Sequence, residues 1–532
     1  MPTTQTSKRN SNGKAPAKLK SINPRTGEVL AEIEPTPVGD VREIVSQARK
    51  VQPEWAAIPP EGRARFIKEV RHRFHERLDQ IVEVVSVECG KSPRETLLFE
   101  AFGALNLLTY MEKVPAKALK PQKVGRVVGP ILFGSNSRIE WRPYGVVGAI
   151  TPWNYPITNC LLGFLGALLA GNTVVLKPSE VTPASGELMR DLFDPLPSGV
   201  LTVIQGGGDV GAALVDAPCD KISFIGSPPT GRKILEAASK HLTPTVMELG
   251  GQDAAIVCED ADLDVTTSGI TWSSFFNAGQ TCCSIERIFV DDRIADDFQE
   301  RFLAKVRQVK PGKGEAEMGP LTFAGQLDVV QRHVNDAIEK GATVLAGGPD
   351  ESPKNENGTL WFAPTVLTDV NDEMDVVKEE SFGPVITITR VRDDDEAIRR
   401  ANEEGVNLTA SVWTGSRKRA EAIMGRLRAG AMESNDHGVL PGMAWAPWGG
   451  VGESGFGRLN GTLGIQEFAV PVHIAHNISP KLKKIYWYPY NSEQEAMLRG
   501  FAKVLAARTL SEKLTGVKEA AANFGRTIKT RL

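Results

Sequence analysis

Two short motifs about thirty residues apart could do covalent chemistry on a carbonyl group. The first, Met247-Glu248-Leu249-Gly250-Gly251, places a carboxylate at a predicted strand end, and its glycines let the backbone turn sharply. The second, Phe275 to Cys282, ends a helical run at Gly279-Gln280 and puts Cys282 where a new helix is predicted to begin. A thiol at a helix N-terminus gains thiolate character, and a nearby carboxylate can act as a base. The pair predicts a cysteine nucleophile, followed by hydrolysis of the thioester that it leaves.

This pair, at this spacing, resembles the aldehyde dehydrogenase family over about Ile22 to Tyr490. Further motifs of that family occur in the expected order, and a set of this size in register could hardly arise by chance. They are Thr151-Pro-Trp-Asn-Tyr-Pro156, Lys177-Pro-Ser-Glu180, Gly226-Ser227 with Gly231, Glu379-Glu-Ser-Phe-Gly-Pro384, and Pro447-Trp-Gly-Gly450 leading to Ser454-Gly-Phe-Gly-Arg458.

The resemblance implies that Cys282 adds to an aldehyde, that hydride passes to a nicotinamide cofactor, and that Glu248 activates water against the thioester. It also places the Asn154 side chain and the Cys282 N–H in an oxyanion hole, where a fixed amide stabilises the charge that develops on oxygen. From the residues alone, Asn154 could equally cap a helix. Glu248 indicates a hydrolytic member, because members that pass the acyl group to coenzyme A commonly lack this carboxylate.

Two glycine clusters could bind the cofactor phosphates, and each joins a predicted strand to a predicted helix. Gly206 to Gly211 matches the dinucleotide fingerprint, but the acidic residue expected about twenty positions later is missing. The resemblance assigns the pyrophosphate to Gly226-Ser227-Pro-Pro-Thr-Gly231, where backbone N–H groups can approach closely, and the adenosine to the earlier cluster. Either cluster alone could be an ordinary tight turn.

By the same resemblance, Lys177 and Glu180 meet the adenosine ribose, and Glu380 and Phe382 hold the nicotinamide ribose and ring. The expected cofactor is NAD, with NADP as the alternative, because the Glu180 carboxylate would accept ribose hydroxyls and repel a 2′-phosphate. The complete set of expected cofactor residues is Ile150, Trp153, Lys177, Ser179, Glu180, Gly208, Gly211, Phe224, Gly226, Ser227, Leu249, Glu380 and Phe382.

The expected substrate pocket comprises Tyr155, Leu162, Phe276, Cys283 and Trp448. Succinic semialdehyde dehydrogenases hold the distal carboxylate of their substrate with two arginines, and Leu162 and Phe276 occupy those two places here. An unpaired carboxylate in an apolar tunnel costs several kcal/mol. The sequence therefore favours an apolar aliphatic or aromatic aldehyde over a semialdehyde, and an active enzyme over a non-catalytic structural relative.

Three positions depart from the family pattern. Hydrolytic members often carry an acidic residue after the Ser-Gly-x-Gly-Arg motif, paired with a lysine near the Trp-Asn-x-Pro helix. Leu459 and Gly163 occupy these places here, so the proton relay behind Glu248 must differ. Gln252 replaces the usual lysine or asparagine, with no effect that the sequence predicts.

Composition fits a soluble cytoplasmic enzyme. The 532 residues are 41% hydrophobic and 24% charged, and the net charge of −3 gives no reason to expect nucleic acid as a partner. Six scattered cysteines without a Cys-x-x-Cys motif argue against a metal site or disulfides and for a reducing compartment. The expected partners are a small-molecule aldehyde and further copies of the chain, in a homodimer or homotetramer.

Short apolar runs alternate with helix-length segments from Gly145 onward, which indicates parallel sheets with helices on both faces. The predicted fold is α/β, with two doubly wound parallel-sheet domains, a Rossmann-like cofactor domain and a catalytic domain, and a small β element for bridging or oligomerisation. The predicted divisions are a disordered tail 1–20, a cofactor domain 21–124 and 144–250, a catalytic domain 251–448, a bridging element 125–143 and 449–490, and a basic helical tail 491–532.

The C-terminal tail lies beyond the resemblance and has a basic excess. Apolar residues recur in it at helical spacing, which predicts an extra helix packed on the subunit or on a neighbour. A peripheral contact with an anionic membrane is the less favoured alternative. The residues with this spacing are Met497, Leu498, Phe501, Val504 and Leu505.

Overall fold

The computed structural model describes residues 17–124, 135–312, 318–403, 406–477, 483 and 487–529. The chain forms two compact units, of which the first comprises Met1–Leu119 and Pro143–Val470 and the second Lys120–Arg142 and Pro471–Leu532. Within the described ranges, no helix is long and apolar enough to cross a membrane.

The N-terminal region of the first unit is a two-stranded antiparallel sheet followed by helices. Strands β1 (Leu19–Ile22) and β2 (Val29–Ile33) form the sheet. β1 begins inside the segment 1–20 predicted as a disordered tail, of which residues 1–16 lie outside the described part of the chain. The helices are α1 (Val41–Ala57), α2 (Pro60–Glu76), α3 (Leu78–Cys89), α4 (Pro93–Thr96), α5 (Gly103–Met111) and α6 (Pro115–Ala118), with a 3-10 turn at Val38–Asp40 and a π-helix at Leu97–Phe102.

The second unit opens with β3 (Gln122–Lys123) and β4 (Ser135–Pro143), which pair antiparallel. Residues 125–134 of the predicted bridging element lie outside the described residues. The chain then returns to the first unit with alternating strands and helices. These are β5 (Val146–Ile150), α7 (Thr158–Ala170), β6 (Thr173–Lys177), α8 (Pro183–Leu192), β7 (Leu201–Val203), α9 (Gly208–Asp216), β8 (Lys221–Gly226), α10 (Pro228–Ser239) and β9 (Thr245–Leu249).

The second half of the first unit continues the same alternation with longer connections. Its elements are β10 (Asp253–Val257), α11 (Leu263–Phe275), a 3-10 turn at Phe276–Gly279, β11 (Ile285–Asp291), α12 (Ala295–Val306), α13 (Ala324–Glu339), β12 (Thr343–Ala346), α14 (Gly348–Glu351), β13 (Thr365–Thr368), α15 (Asp375–Lys378), β14 (Val385–Val391), α16 (Asp394–Glu403), β15 (Val406–Asn407), β16 (Thr409–Trp413), α17 (Arg417–Met424), β17 (Ala431–Ser434), a 3-10 turn at Leu440–Gly442, β18 (Val451–Gly452), β19 (Gly455–Phe456) and α18 (Gly461–Glu467).

Two sheets organise the first unit. One has the order β19-β9-β8-β5-β6-β7 and the other β12-β13-β14-β11-β10-β16-β17. Both are parallel except at an edge, where β19 and β12 run antiparallel to their neighbours. Every residue of β5, β10 and β11 is buried, because helices cover both faces of a parallel sheet. The predicted doubly wound α/β fold is confirmed.

The second unit closes with β20 (Ala469–Asn477), which completes a three-stranded sheet in the order β20-β4-β3. Two helices, α19 (Ser492–Ala506) and α20 (Leu510–Lys529), follow. The extra helix predicted from the apolar spacing of Met497 to Leu505 is α19, and a second helix, α20, begins after a break at Ala507 to Thr509.

Candidate active site

Cys282 lies in a turn between the 3-10 helix Phe276–Gly279 and β11. The prediction of a new helix at Cys282 is wrong, because Ile285–Asp291 is a fully buried strand. No helix dipole therefore lowers the pKa of the thiol. That pKa is well above the usual value, owing to a hydrogen bond with Cys283, burial, and the negative charge of Glu248. A thiol with so raised a pKa needs a nearby base to ionise near neutral pH.

Glu248 lies within hydrogen-bonding reach of the Cys282 thiol. It lies at the end of β9, and Trp448 Nε1 donates a hydrogen bond to its Oε1 at 3.1 Å. Burial raises the pKa of Glu248 to about 7, against hydrogen bonds from Trp448 and Cys282 that lower it. A carboxyl group with that pKa exchanges protons near neutral pH, which suits a general base.

The two expected relay positions offer Glu248 no ionisable partner. Leu459 is buried and pairs only its backbone with Trp448, at 2.7 Å in both directions. A side chain at Gly163 would begin 2.9 Å from the Thr151 methyl group. The departures seen in the sequence therefore leave Trp448 as the group that orients the Glu248 carboxylate.

Asn154 lies beside the nucleophile loop, and its amide orientation is fixed. Its Nδ2 donates to the Gln280 carbonyl at 3.2 Å, while Asn159 Nδ2 donates to Asn154 Oδ1 at 2.9 Å. The residue before α7 is Ile157, so the alternative role of Asn154 as helix cap is wrong. Asn159 was not among the predicted site residues, although a buried asparagine in a helix as apolar as α7 indicates a polar contact.

An aromatic stack leads from the surface to the nucleophile loop. Trp272 stacks on Phe276 with ring centroids 4.7 Å apart, and Phe99 lies 5.3 Å from Phe276 and 5.6 Å from Tyr155. The Tyr155 hydroxyl shares a hydrogen bond of 2.7 Å with the Thr281 hydroxyl, next to Cys282. The outer end of the stack lines a cleft of about 640 Å³. Tyr155 and Phe276 are thus brought together as predicted pocket residues.

The other predicted pocket residues have different contacts. Cys283 and Trp448 pack together in a small apolar cluster that Cys282 contacts. Leu162 instead lines a narrow buried crevice with Leu107 and Leu459.

A buried ion pair behind Tyr155 was not predicted. Lys91 Nζ lies 2.9 Å from Glu100 Oε1 and 3.7 Å from the centre of the Tyr155 ring. The other Glu100 oxygen accepts the backbone N–H groups of Ile157 and Thr158, where α7 begins. This pair therefore positions both the aromatic wall and the helix that carries Asn159. Lys91 lies in the loop between α3 and α4 and Glu100 lies in the π-helix, so helical spacing alone could not join them.

The carboxyl ends of the first sheet bring the expected cofactor residues to one edge. Ile150 pairs in register with Lys177 and with Phe224, and Gly226 pairs with Leu249. A ligand bound across a doubly wound sheet lies at such an edge. Gly211, on the first turn of α9, approaches the Lys177 side chain. Gly208 begins that helix, and the neighbouring Ser179 is buried.

Lys177 and Glu180 form an ion pair of 2.9 Å in which the lysine is buried and the carboxylate is exposed. At the start of α10, Pro228 and Pro229 have no N–H, so the glycine cluster supplies fewer backbone donors than the sequence argument assumed. The Ser227 and Thr230 hydroxyls, 3.1 Å apart, stand there instead. These ionic and hydroxyl groups fit the ribose and phosphates of a dinucleotide.

Glu380 and Phe382 face the same region from the second sheet. Glu380 Oε1 accepts the Gly251 N–H at 3.1 Å, and a Cβ at Gly250 would lie 2.0 Å from Glu380 Oε2. Phe382 meets Trp153 edge to face at 5.5 Å. Gln252 donates to the Glu379 carbonyl at 2.7 Å, so this departure from the family pattern anchors the segment that carries Glu380.

The sequence was compared with models of known protein families. The model of the aldehyde dehydrogenase family matches residues 11–474. The chain belongs to the aldehyde dehydrogenase family. The resemblance predicted from the sequence is therefore confirmed, and the protein is an oxidoreductase that acts on aldehydes.

Curated relatives of this aldehyde dehydrogenase differ in the substrates they are named for. It is 34% identical to 4,4'-diapolycopene aldehyde oxidase of Methylomonas sp over 91% of this chain and 90% of that protein. It is 34% identical to betaine aldehyde dehydrogenase of Bacillus subtilis over 86% and 94%. A provisional NADP-dependent succinate-semialdehyde dehydrogenase of Mycobacterium ulcerans is 37% identical over 85% and 87%.

Solved structures share the fold. PnpE, known from Pseudomonas sp. WBC-3, was solved with nicotinamide adenine dinucleotide and has a TM-score of 0.82 at 31% identity, over 87% of this chain and 94% of that one. Betaine aldehyde dehydrogenase of Staphylococcus aureus, solved with NAD⁺, has a TM-score of 0.83 at 28% identity over 89% and 94%.

Proposed function

We propose that this aldehyde dehydrogenase oxidises apolar aliphatic or aromatic aldehydes to carboxylic acids, with NAD as the cofactor. The observation that carries the proposal is the aromatic stack of Trp272, Phe276, Phe99 and Tyr155, which leads to Thr281 beside the nucleophile. Such a wall gains free energy from apolar surface and offers nothing to a carboxylate. The domain division given above and a homodimer or homotetramer stay predictions.

Cys282 is the nucleophile of the proposed reaction, and its raised thiol pKa makes Glu248 the acceptor of its proton. The thiolate adds to the carbonyl carbon, and the Asn154 amide stabilises the resulting oxyanion once the substrate oxygen replaces the Gln280 carbonyl as its partner. When bound, NAD would supply the hydride acceptor for oxidation of the thiohemiacetal on Cys282 to a thioester. Glu248 then deprotonates the water that releases the acid and restores the thiol.

The residues at the sheet edge would hold NAD through Glu180 and Lys177 at the adenosine ribose, Ser227 near the phosphates, and Glu380 at the nicotinamide ribose. Trp153 and Phe382 would flank the ring. The cofactor preference follows from Glu180, because its carboxylate is paired with Lys177 yet exposed, so that it can also accept a ribose hydroxyl.

Glu180→Ser is expected to narrow the preference for NAD over NADP by about 10-fold in kcat/KM, a change of about 1.4 kcal/mol. The substitution removes a carboxylate that repels the 2′-phosphate and leaves the Lys177 ammonium without its ion pair. Steady-state kinetics with both cofactors measure the ratio. Glu236→Ser, at an exposed glutamate of α10, is the matched control. An unchanged ratio in Glu180→Ser would place the 2′-hydroxyl elsewhere.

The substrate class can be tested with aldehydes of increasing length. From three to six carbons, KM is expected to fall by up to about fourfold per methylene, because each buried methylene contributes up to about 0.8 kcal/mol. Succinic semialdehyde should have a lower kcat/KM than hexanal or benzaldehyde. Phe276→Arg should improve the semialdehyde and weaken hexanal.

A better kcat/KM with succinic semialdehyde than with hexanal would overturn the proposed substrate class. Arg94 and Lys305 line the same cleft as Phe276, and Lys305 is already paired with Asp264 at 2.7 Å. If that result were obtained, Arg94→Ala would test whether Arg94 binds the substrate carboxylate. The substitution would then abolish the activity with succinic semialdehyde and spare the activity with hexanal.

A further inference from the structure

The C-terminal helices α19 and α20 form a tightly packed hairpin in the second unit. A Cβ at Gly500 would lie 2.4 Å from the Ala520 backbone nitrogen, and one at Gly516 would lie 2.8 Å from the Val504 nitrogen. Met497 and Ala520 are buried in this contact. The face of α20 that carries Gly516 and Ala520 is thus used for packing within the hairpin.

Another face of α20 is apolar and exposed. Leu510, Leu514 and Val517 follow one another at i, i+4 and i+7, so they share one side of the helix, with 74%, 53% and 47% of their surface exposed. Leu505, at the end of α19, is 76% exposed beside the turn that leads into α20. We name these four residues the apolar face. Large side chains in such an array usually meet a partner.

The charges around the apolar face are arranged by sign. At about 100° per residue, Lys513 and Lys518 flank the face on either side, whereas Glu512 and Glu519 lie on the opposite side of the helix. Both glutamates form contacts within the hairpin. Glu519 pairs with Lys503 at 2.7 Å, and Glu512 accepts the Arg508 N–H at 2.8 Å.

The hairpin has a net positive charge, whereas the whole chain has a net negative charge. Residues 492–529 contain seven lysines and arginines and four glutamates, a net charge of +3, while the whole chain carries −3. An apolar stripe bordered by lysines, with its acids turned away, is the pattern of a helix that lies in a lipid headgroup layer. A protein partner would need an apolar groove with acidic rims, whereas an anionic bilayer supplies both features everywhere.

We propose that α20 docks on an anionic lipid surface, with the apolar face in the acyl boundary and Lys513 and Lys518 at the headgroups. This placement is independent of the aldehyde specificity. It brings the enzyme to a membrane surface, into which a face of this size inserts only shallowly.

Co-sedimentation of the full-length enzyme with vesicles tests the docking. The protein is expected to bind vesicles of phosphatidylcholine with phosphatidylglycerol, and to bind pure phosphatidylcholine at least about 10-fold more weakly, because the lysines lose their anionic partners. Raising the salt concentration should weaken binding to the anionic vesicles. Failure to bind anionic vesicles at low salt would overturn the proposal.

Two variants separate the apolar and ionic contributions. Leu510→Ser/Leu514→Ser/Val517→Ser should reduce vesicle binding by at least about 10-fold, and Lys513→Gln/Lys518→Gln by about 30-fold. The changes lie on the surface, so turnover of a soluble aldehyde should equal that of the wild type and reports correct folding. Leu242→Ser, at an exposed leucine of the first unit, is the matched control and should bind vesicles normally.

The competing occupant of the apolar face is a second copy of the chain. Light scattering of Leu510→Ser/Leu514→Ser/Val517→Ser in the absence of lipid distinguishes a lipid surface from a second copy of the chain. An unchanged native mass supports the lipid surface. A smaller mass, with wild-type vesicle binding weak at every lipid composition, would show that the face is a subunit interface and would overturn the proposal.

Discussion

Cys282→Ser is expected to lower aldehyde oxidation by about 10³-fold or more, which corresponds to about 4 kcal/mol of activation free energy. A hydroxyl group is far harder to ionise than a thiol, and Glu248, with a pKa of about 7, is too weak a base to deprotonate it. NADH formation in the presence of saturating aldehyde measures the loss. Cofactor binding, followed by protein fluorescence, should be nearly unchanged.

The neighbouring cysteines provide the controls for this experiment. Cys258→Ser changes a buried thiol on the far side of β10 and should keep most of the activity. Cys283→Ser should cost less than Cys282→Ser, because Cys283 is fully buried whereas Cys282 is partly accessible. If Cys283→Ser were the inactive variant and Cys282→Ser retained more than a few per cent of the turnover, the two roles would be reversed.

The sequence was sufficient for the parts of the site that repeat a local pattern. Strand ends marked by an apolar run and a glycine placed Glu248 and Gly226 at the edge where the sheet binds ligands. Parallel strands buried on both faces have nearly continuous apolar runs, so their positions along the chain could be predicted from the sequence. Edge strands such as β12 and β17 are only partly buried and give a weaker signal.

The side-chain contacts that orient the site residues could not be predicted from the sequence, because they join segments that are distant along the chain. Trp448 reaches Glu248 across 200 positions, and Lys91 reaches the Tyr155 ring from the loop between α3 and α4. The helix expected at Cys282 failed for a related reason. After Gly279, local preference allows a helix, but β11 completes the second sheet between β10 and β14, and that burial decides the conformation.

Glu248→Gln is expected to lower steady-state turnover by roughly 10²–10⁴-fold, the range that a positioned base contributes. The thioester still forms once per active site, so a burst of NADH should persist. Its rate should rise with pH, because Cys282 must now lose its proton to solvent and no longer lies beside a carboxylate. Stopped-flow absorbance separates the burst from the steady state.

The pH dependence makes the assignment to Glu248 specific. In the wild type, the deacylation rate should increase with pH, with a rising limb of the pH–rate profile centred near pH 7. The Glu248 carboxyl is protonated and inactive below its pKa and ionised above it. This limb should vanish in Glu248→Gln. Trp448→Phe retains the carboxylate but removes the hydrogen bond that favours its ionised form, so the limb should move to higher pH with activity recovering there. A limb near pH 7 that persists in Glu248→Gln would assign the deacylation base to another group and leave Glu248 to serve only the thiol.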